Sequence, residues 1–443
     1  MTDTIPGIVI AAPASNSGKT VITLALLRAL TRKGHAIAAA KTGPDYIDPA
    51  FQAAACHGTC INLDPWAMTP SQITSLAKDH AKDKAFLICE GVMGLFDGAA
   101  NGDGSTADLA ALAGWPVILV VDVKGQSASA AAVISGFAKF RDDINVAGVI
   151  LNRVGSERHG QMIVDACAKH LPDLPVLGAV RRSEDLILPE RHLGLVQAGE
   201  HSELDAFLDR AADIIVGDVD LDALMALIDQ TGSPSEKMVG PTAAIAPLGQ
   251  HIAVARDAGF AFSYLHILDG WRAAGAKISF FSPLANEAPT PDCDAIYLPG
   301  GYPELHAPIL ASANMFKTGM RDAAKRGVLI YGECGGYMTL GNGLIDAKGT
   351  RHEMLGLLPL ETSFANRRLH LGYREVQLGI PSPFGPAGMK LRGHEFHYAT
   401  TISENGMPFC RMKSATGLDL GPAGLVDGRV FGSFFHMIAE VRP

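Results

Sequence analysis

Residues 7 to 20 read GIVIAAPASNSGKT, and few folds accommodate such a stretch. Gly7 to Ala12 is an unbroken apolar run, the pattern of a strand buried in a parallel sheet, and Val21 to Leu30 continues as an amphipathic helix that stops near Gly34. The turn between them brings the backbone N–H groups of Ser15, Asn16, Ser17 and Gly18 to the positive end of that helix. A nucleotide phosphate placed there meets those donors and the Lys19 ammonium, with the Thr20 hydroxyl as a ligand for Mg²⁺. The pattern departs from the ordinary phosphate loop at one place: Pro13 stands where a glycine is usual, five residues before Gly18.

The segments that follow repeat the same strand-then-polar pattern. Ala36 to Ala40 leads into KTGPDYIDP (Lys41 to Pro49), and Ala85 to Cys89 leads into Glu90 of CEGVMGLFDG. Val117 to Val121, Val146 to Leu151 and Val176 to Ala179 are further apolar runs separated by helical segments. This alternation predicts an α/β fold, a mainly parallel sheet with helices on both faces. In such sheets the strand ends share one edge, so Lys41, Asp45, Asp48, Glu90, Asp97, Asp122, Asn152 and Arg153 should converge there. Glu90 ends a buried strand and requires a cation or a metal ion; Asp122 reads equally well as a turn former.

At 443 residues the chain exceeds one ordinary core, and residues 231–249, rich in Pro, Gly and Ser, separate two patterned regions. The expected organisation is a nucleotide- and substrate-binding domain over 1–230, a linker over 231–249 and a second α/β domain over 250–443. A net charge of −9 argues against a nucleic-acid partner, although Arg181, Arg182, Arg191 and His192 could form a local basic cluster for a small polyanion. No stretch has the length and apolarity of a membrane span, and seven unpatterned cysteines fit a reduced, cytoplasmic protein. Cys56 and Cys60 flank His57 without a second ligand pair nearby, which favours a structural role over a metal site.

The second domain carries a different chemistry. Val328 to Tyr331 runs into Gly332-Glu333-Cys334-Gly335-Gly336, small residues around a cysteine between a strand and the helix that begins near Tyr337. A nucleophile on so tight a turn projects outward, and a helix N-terminus would lower its thiol pKa. His436 of VFGSFFHMIAE, beyond another apolar strand, is the candidate proton carrier for Cys334. Gly300 and Gly301 of PGGY, together with Gly335, could supply N–H groups to an oxyanion.

Taken together these motifs resemble the corrinoid glutamine amidotransferase family: a dethiobiotin-synthetase-like first half and a flavodoxin-like class I glutaminase second half. The likeness covers nearly the whole chain and rests on ASNSGKT, KTGPDYIDP, CEGVMGLFDG, LNRV, PERHLGL, PGGYPEL, GECGGYM and RGHEFHY. It implies ATP- and glutamine-dependent amidation of the a and c carboxylates of hydrogenobyrinic or cobyrinic acid through acyl phosphates, in cobalamin biosynthesis. It also implies Mg²⁺ held by Thr20, Asp48 and Glu90, Asn152 at the adenine, Arg191 at the nucleotide, and a homodimer. Lys41, Asp45, Tyr46, Ile47, Asp97 and Arg153 fall to the tetrapyrrole polycarboxylate, with Tyr46 open to a packing role. Ordinary class I glutaminases carry an acid two residues after the histidine; here that position is Ile438, and Glu440 lies four on, which implies a Cys334–His436 dyad. Ammonia must pass unprotonated to the acyl phosphate, so a contact between the domains is expected, in which His394, Glu395 and His397 either take part or form a structural cluster. Two competing readings stay open at this stage. One is amidation of another tetrapyrrole such as nickel-sirohydrochlorin; the other is a non-enzymatic P-loop regulator, which would leave Cys334 and His436 unexplained.

Overall fold

A computed structural model describes residues 5–188, 190–191, 194–195, 197–231 and 245–441. The apolar runs of the first half become β1 Gly7–Ala11, β2 Ile37–Thr42, β4 Phe86–Glu90, β5 Val117–Asp122, β6 Val146–Val154 and β7 Val176–Arg181. They are joined by β3, Cys60–Leu63, which at four residues is too short to stand out by periodicity. All pair in parallel, in the order β3-β2-β4-β1-β5-β6-β7. Every residue of β1, β2 and β4 is buried, as an unbroken apolar strand covered on both faces requires.

Register then decides which polar ends meet. Lys41 pairs with Glu90 across β2 and β4, and Asp122 pairs with Asn152 across β5 and β6. Helix α1, Lys19–Arg32, leaves the turn after β1, and α2, Asp48–Ala55, leaves the turn after β2. In the CHGTC segment Arg28 donates to Nε2 of His57 at 2.6 Å, and the thiol of Cys60, which with Cys56 flanks that ring, donates to Oε1 of Gln52 at 3.1 Å. Burial pushes both thiols upward, as befits neutral packing groups.

The chain divides into two compact units, Met1–Thr242 and Ala243–Pro443. Of the 231–249 stretch, residues 232–244 lie outside the described residues, as do Pro189, His192 and Leu193 of PERHLGL. β8, Glu190–Arg191, pairs with β9, Gly194–Leu195, and the Arg191 side chain is also outside what is described.

In the second unit β10 His251–Ala255, β11 Lys277–Phe281, β12 Ala295–Leu298 and β13 Leu329–Glu333 precede an excursion through β14 Gly343–Ile345, β15 Arg351–Glu353, β16 Leu360–Ser363, β17 His370–Leu378, β18 Lys390–His397, β19 Thr400–Glu404, β20 Met407–Ser414 and β21 Asp419–Asp427. The chain then returns in β22 Val430–Ser433 and ends in β23 Phe435–Glu440. β11-β10-β12-β13-β22 are parallel neighbours. Numbered within this core they read 2-1-3-4-5, the flavodoxin-like order. The antiparallel strands β21, β20, β17, β18 and β23 extend the same sheet beyond β22. Among the described residues no helix is long and apolar enough to cross a membrane.

Candidate active sites

The turn after β1 is built on backbone conformations that few residues adopt. Asn16 and Gly18 have φ of 62° and 84°. A Cβ on Gly18 would lie 2.3 Å from Nδ2 of Asn152, so glycine is required on both conformational and steric grounds. Asn152 donates to the Ser17 carbonyl at 2.9 Å, and Arg153 donates to the Asn16 carbonyl at 2.8 Å while pairing with Asp122 at 2.6 Å. Arg153 has φ of 58° at a register shift in β6, a strained position of the kind found at ligand sites. The loop is thus held from a strand two places away. Ser17 turns its hydroxyl back to Ala14 at 2.8 Å, which leaves its backbone N–H as its available phosphate donor.

Beside this turn opens a cleft of about 660 Å³, walled by Ser15, Asn16, Gly18, Lys19, Thr20, Lys41, Asp45, Asp48, Asn152 and Arg153. Arg181, Arg182 and Ser183 line its far side. The volume suits a ligand of nucleotide size. At its floor the Thr20 hydroxyl donates to Oε1 of Glu90 at 2.6 Å and to Oδ2 of Asp48 at 3.3 Å. Three hard oxygens on one point are what a divalent cation of the magnesium type binds, so these residues fit the ion.

The Lys41 ammonium lies against the same oxygens, 2.6 Å from Asp48, 2.9 Å from Glu90 and 3.7 Å from Asp45. Burial alone would lower it, but Asp48, Glu90 and Asp45 outweigh burial and hold it well above the usual lysine range. Burial and the Asp48 charge together raise Asp45 to about 6. Burial and the neighbouring Lys41 instead depress the Lys19 ammonium, which softens its own desolvation cost. Gln52, one turn along α2 from Asp48, donates to Oε2 of Glu90 at 2.6 Å; the i, i+4 spacing from Asp48 is the signal that sequence reading passed over.

The substrate-loop candidates divide. Asp45 accepts from the N–H groups of Ile47 and Asp48, fixing the start of α2, and faces Lys41. Among the described residues Tyr46, Ile47 and Asp97 are not on the cleft wall: Ile47 is buried, and Asp97 accepts from Gly94 at 2.9 Å, bracing the turn after β4.

In the second unit Cys334 leaves β13 with φ of 46° and ψ of −102°, a strained elbow. Gly332, Gly335 and Gly336 crowd beneath it; a Cβ on Gly336 would meet the Leu298 carbonyl at 2.0 Å. The helix that follows, Gly335–Leu340, is short, and the expected lowering of the thiol pKa is reversed. Burial first, then Glu304, Glu333 and Glu395, push it well up. His436 is fully buried, and desolvation, with His394 and His397, brings it down to about 3. Both shifts favour the uncharged forms, thiol and neutral imidazole.

The glycine pair after β12 has a tight function of its own. A Cβ on Gly300 would lie 2.3 Å from Cε1 of His436, and one on Gly335 would lie 2.9 Å from the Gly301 nitrogen. So Gly300 seats the imidazole, and the N–H groups of Gly301 and Gly335 come from segments in direct contact. The Cys334 thiol donates to the Phe396 carbonyl on β18 at 3.7 Å, and His436 faces His394 across the β18–β23 pairing. Gly300→Ala is expected to push the His436 ring from its seat at a cost of about 1–3 kcal/mol, read by urea unfolding of the parent and the variant.

Comparison with known proteins agrees with this two-site layout. The CobQ/CobB/MinD/ParA nucleotide binding domain matches residues 8–196, and the CobB/CobQ-like glutamine amidotransferase domain matches residues 251–443. Hydrogenobyrinate a,c-diamide synthase of Brucella abortus is 55% identical over 436 residues, 98% of this chain and 98% of its own. The chain belongs to the hydrogenobyrinate a,c-diamide synthase family. The proteins of that name from Rhizobium meliloti and Mesorhizobium japonicum are 54% and 52% identical, each match covering 98% or more of this chain and 99% of the relative.

In this member of the diamide synthase family the RGHEFHY segment forms β18 beside the elbow. Glu395 accepts from Arg374 at 2.7 Å and lies 3.1 Å from Nε2 of His397, whose ring stacks on His370 and Phe434. His370, Glu395 and His397 bring ligand atoms within 4.8 Å of one another, but Arg374 already neutralises the carboxylate, which makes this a hydrogen-bonded cluster. With His397 and Arg374 outweighing burial, Glu395 is held down at about 2.

Proposed function

We propose that this chain is a ligase that amidates the a and c side-chain carboxylates of hydrogenobyrinic acid or its cobalt-containing counterpart, using ATP and glutamine. The observation that carries the reading is the near full-length likeness to proteins of that name, together with a nucleotide site in one unit and a cysteine–histidine site in the other. A carboxylate is too poor an electrophile for ammonia, so its oxygen first attacks the γ-phosphorus of ATP, giving an acyl phosphate and ADP. Ammonia then adds to the acyl carbon and inorganic phosphate leaves. The turn N–H groups and Lys19 stabilise the charge on the transferring phosphoryl group. Thr20, Asp48 and Glu90 would hold Mg²⁺, which supplies further charge neutralisation on the phosphates when bound. Lys41 and Arg153 face the same cleft and bind the substrate's carboxylates or its phosphate, with Asp45 orienting Lys41 beside them, and Asn152 and Arg191 are assigned to the nucleotide.

Ammonia comes from glutamine. Cys334 attacks the side-chain amide as His436 takes the thiol proton, and the N–H groups of Gly301 and Gly335 receive the oxyanion. His436 then protonates the leaving ammonia, and water releases glutamate from the thioester. On this reading the enzyme works in the cytoplasm as a homodimer, with residues 231–249 as the linker between its two working units.

Labels test the scheme. With carboxylate-¹⁸O substrate one label atom per amide should appear in inorganic phosphate, and amide-¹⁵N glutamine should deliver two ¹⁵N atoms to the product. Label appearing in AMP would replace the acyl phosphate by an acyl adenylate.

A further inference from the structure

An imidazole that takes a thiol proton works best with an acid at its second nitrogen, to hold the ring and balance its charge. The position two residues after His436 is Ile438, buried and apolar. Glu440 lies four residues on, about 13 Å along an extended strand, which is out of reach. An acid approaches from another direction.

Glu333, the residue before the nucleophile, places Oε2 3.8 Å from Nδ1 of His436, with both side chains no more than 2% exposed. Its carboxylate is fixed by three donors from three strands. Tyr297 on β12 donates to Oε2 at 2.8 Å; Tyr331 on β13 and the Met437 N–H on β23 donate to Oε1, each at 3.1 Å. The two tyrosine rings stack at 5.9 Å, and the third donor is the residue next to His436 itself. Such a shell accepts no freedom in the carboxylate, and every partner offers a proton, as an acceptor-only group needs.

We infer that Glu333 is the positioning residue for His436, its carboxylate orienting the imidazole through Nδ1 and balancing the positive charge formed when the ring takes the Cys334 proton. The inference rests on Cys334 and His436 being the glutaminase pair. Proton bookkeeping is simple: the proton moves from Sγ to the imidazole and on to the departing ammonia, and Glu333 gains none. Burial pushes the Glu333 carboxyl up to about 7, against the pull of its three donors, so its charge develops across the neutral range. The other titratable groups facing the pair are His394, His397 and Glu395 around His436, and Glu304 and Glu395 around Cys334.

The test uses the full chain with Glu333→Gln, Glu440→Gln and Cys334→Ala, assaying glutaminase kcat and KM from pH 6 to 9 alongside ammonia-supported diamide formation. Glu333→Gln should lower glutaminase kcat about a hundredfold or more, with KM for glutamine changed less than about threefold. Parent kcat should rise with pH through about 7, and that limb should vanish in Glu333→Gln while Glu440→Gln behaves as the parent. Ammonia-supported synthesis should be unaffected in all three. A parent-like kcat in Glu333→Gln, or a retained limb, overturns the inference, as does an equal loss of ammonia-supported synthesis, which would mean a structural role. Should Glu333→Gln not fold, Glu333→Asp keeps the charge at a longer reach: a reduced kcat with the limb intact supports the inference, and parent-like kcat overturns it. Glutamine use surviving in Cys334→Ala would instead overturn the glutaminase pair beneath it.

Discussion

Replacing Cys334 by alanine is expected to lower glutamine-supported diamide formation by about a thousandfold or more while ammonia-supported formation stays within about threefold of the parent. The asymmetry follows from the division of labour. Cys334 follows β13 in the unit proposed to make ammonia, and on that proposal the removed sulfur has no part in activating the carboxylate. The thiol is 2% exposed, so losing one buried atom costs little packing and no charge. Initial rates with glutamine and with ammonium chloride, compared near pH 8.5 where neutral ammonia is plentiful, give the ratio directly. Equal loss with both nitrogen sources would mean that Cys334 supports the fold rather than the nucleophile.

The converse is expected of Glu90. Its side chain is fully buried, and it accepts from Thr20, Lys41 and Gln52 at 2.6, 2.9 and 2.6 Å. Glu90→Gln keeps the volume but removes the charge that balances Lys41 and that would bind a cation. Synthesis should fall by about a thousandfold with either nitrogen source, because acyl phosphate formation is common to both. Glutamine hydrolysis should persist. Glu90→Ala goes further and strips a buried ammonium of one partner, which should destabilise the first unit by about 3–5 kcal/mol, read by urea unfolding. Synthesis at parent rates in Glu90→Gln would remove this carboxylate from the phosphoryl-transfer site.

Several of these relations could be read before any coordinates. An unbroken apolar run has to be a strand covered on both faces, so β1, β2 and β4 were legible, and with them the edge where Lys41, Asp48 and Glu90 meet. The elbow at Cys334 was legible because only small residues fit beneath it. What resisted reading was everything set by register between distant strands. Four of the five antiparallel strands that extend the sheet beyond β22 run eight or nine residues with mixed burial, so their periodicity is weak. Asn152 shows the limit well: its place at the ligand edge was legible and it lines the cleft, but the hydrogen bond from its amide to the Ser17 carbonyl depends on register and was not. Glu333 shows the opposite. A charged residue ending a buried strand was the clue that singled out Glu90, and the same clue at Glu333 was masked by the nucleophile beside it.

The thiol is the instructive reversal. A helix N-terminus favours a thiolate, but six residues carry little dipole, and complete burial among Glu304, Glu333 and Glu395 wins.

The most direct measurement is mass spectrometry of hydrogenobyrinic acid and cobyrinic acid, each incubated with the purified protein, magnesium, ATP and glutamine. The account predicts a diamide from at least one of them, absent without ATP and absent without a nitrogen source. No amide from either, while ATP and glutamine are still consumed, would contradict the assignment of substrate and direct attention to another polycarboxylate.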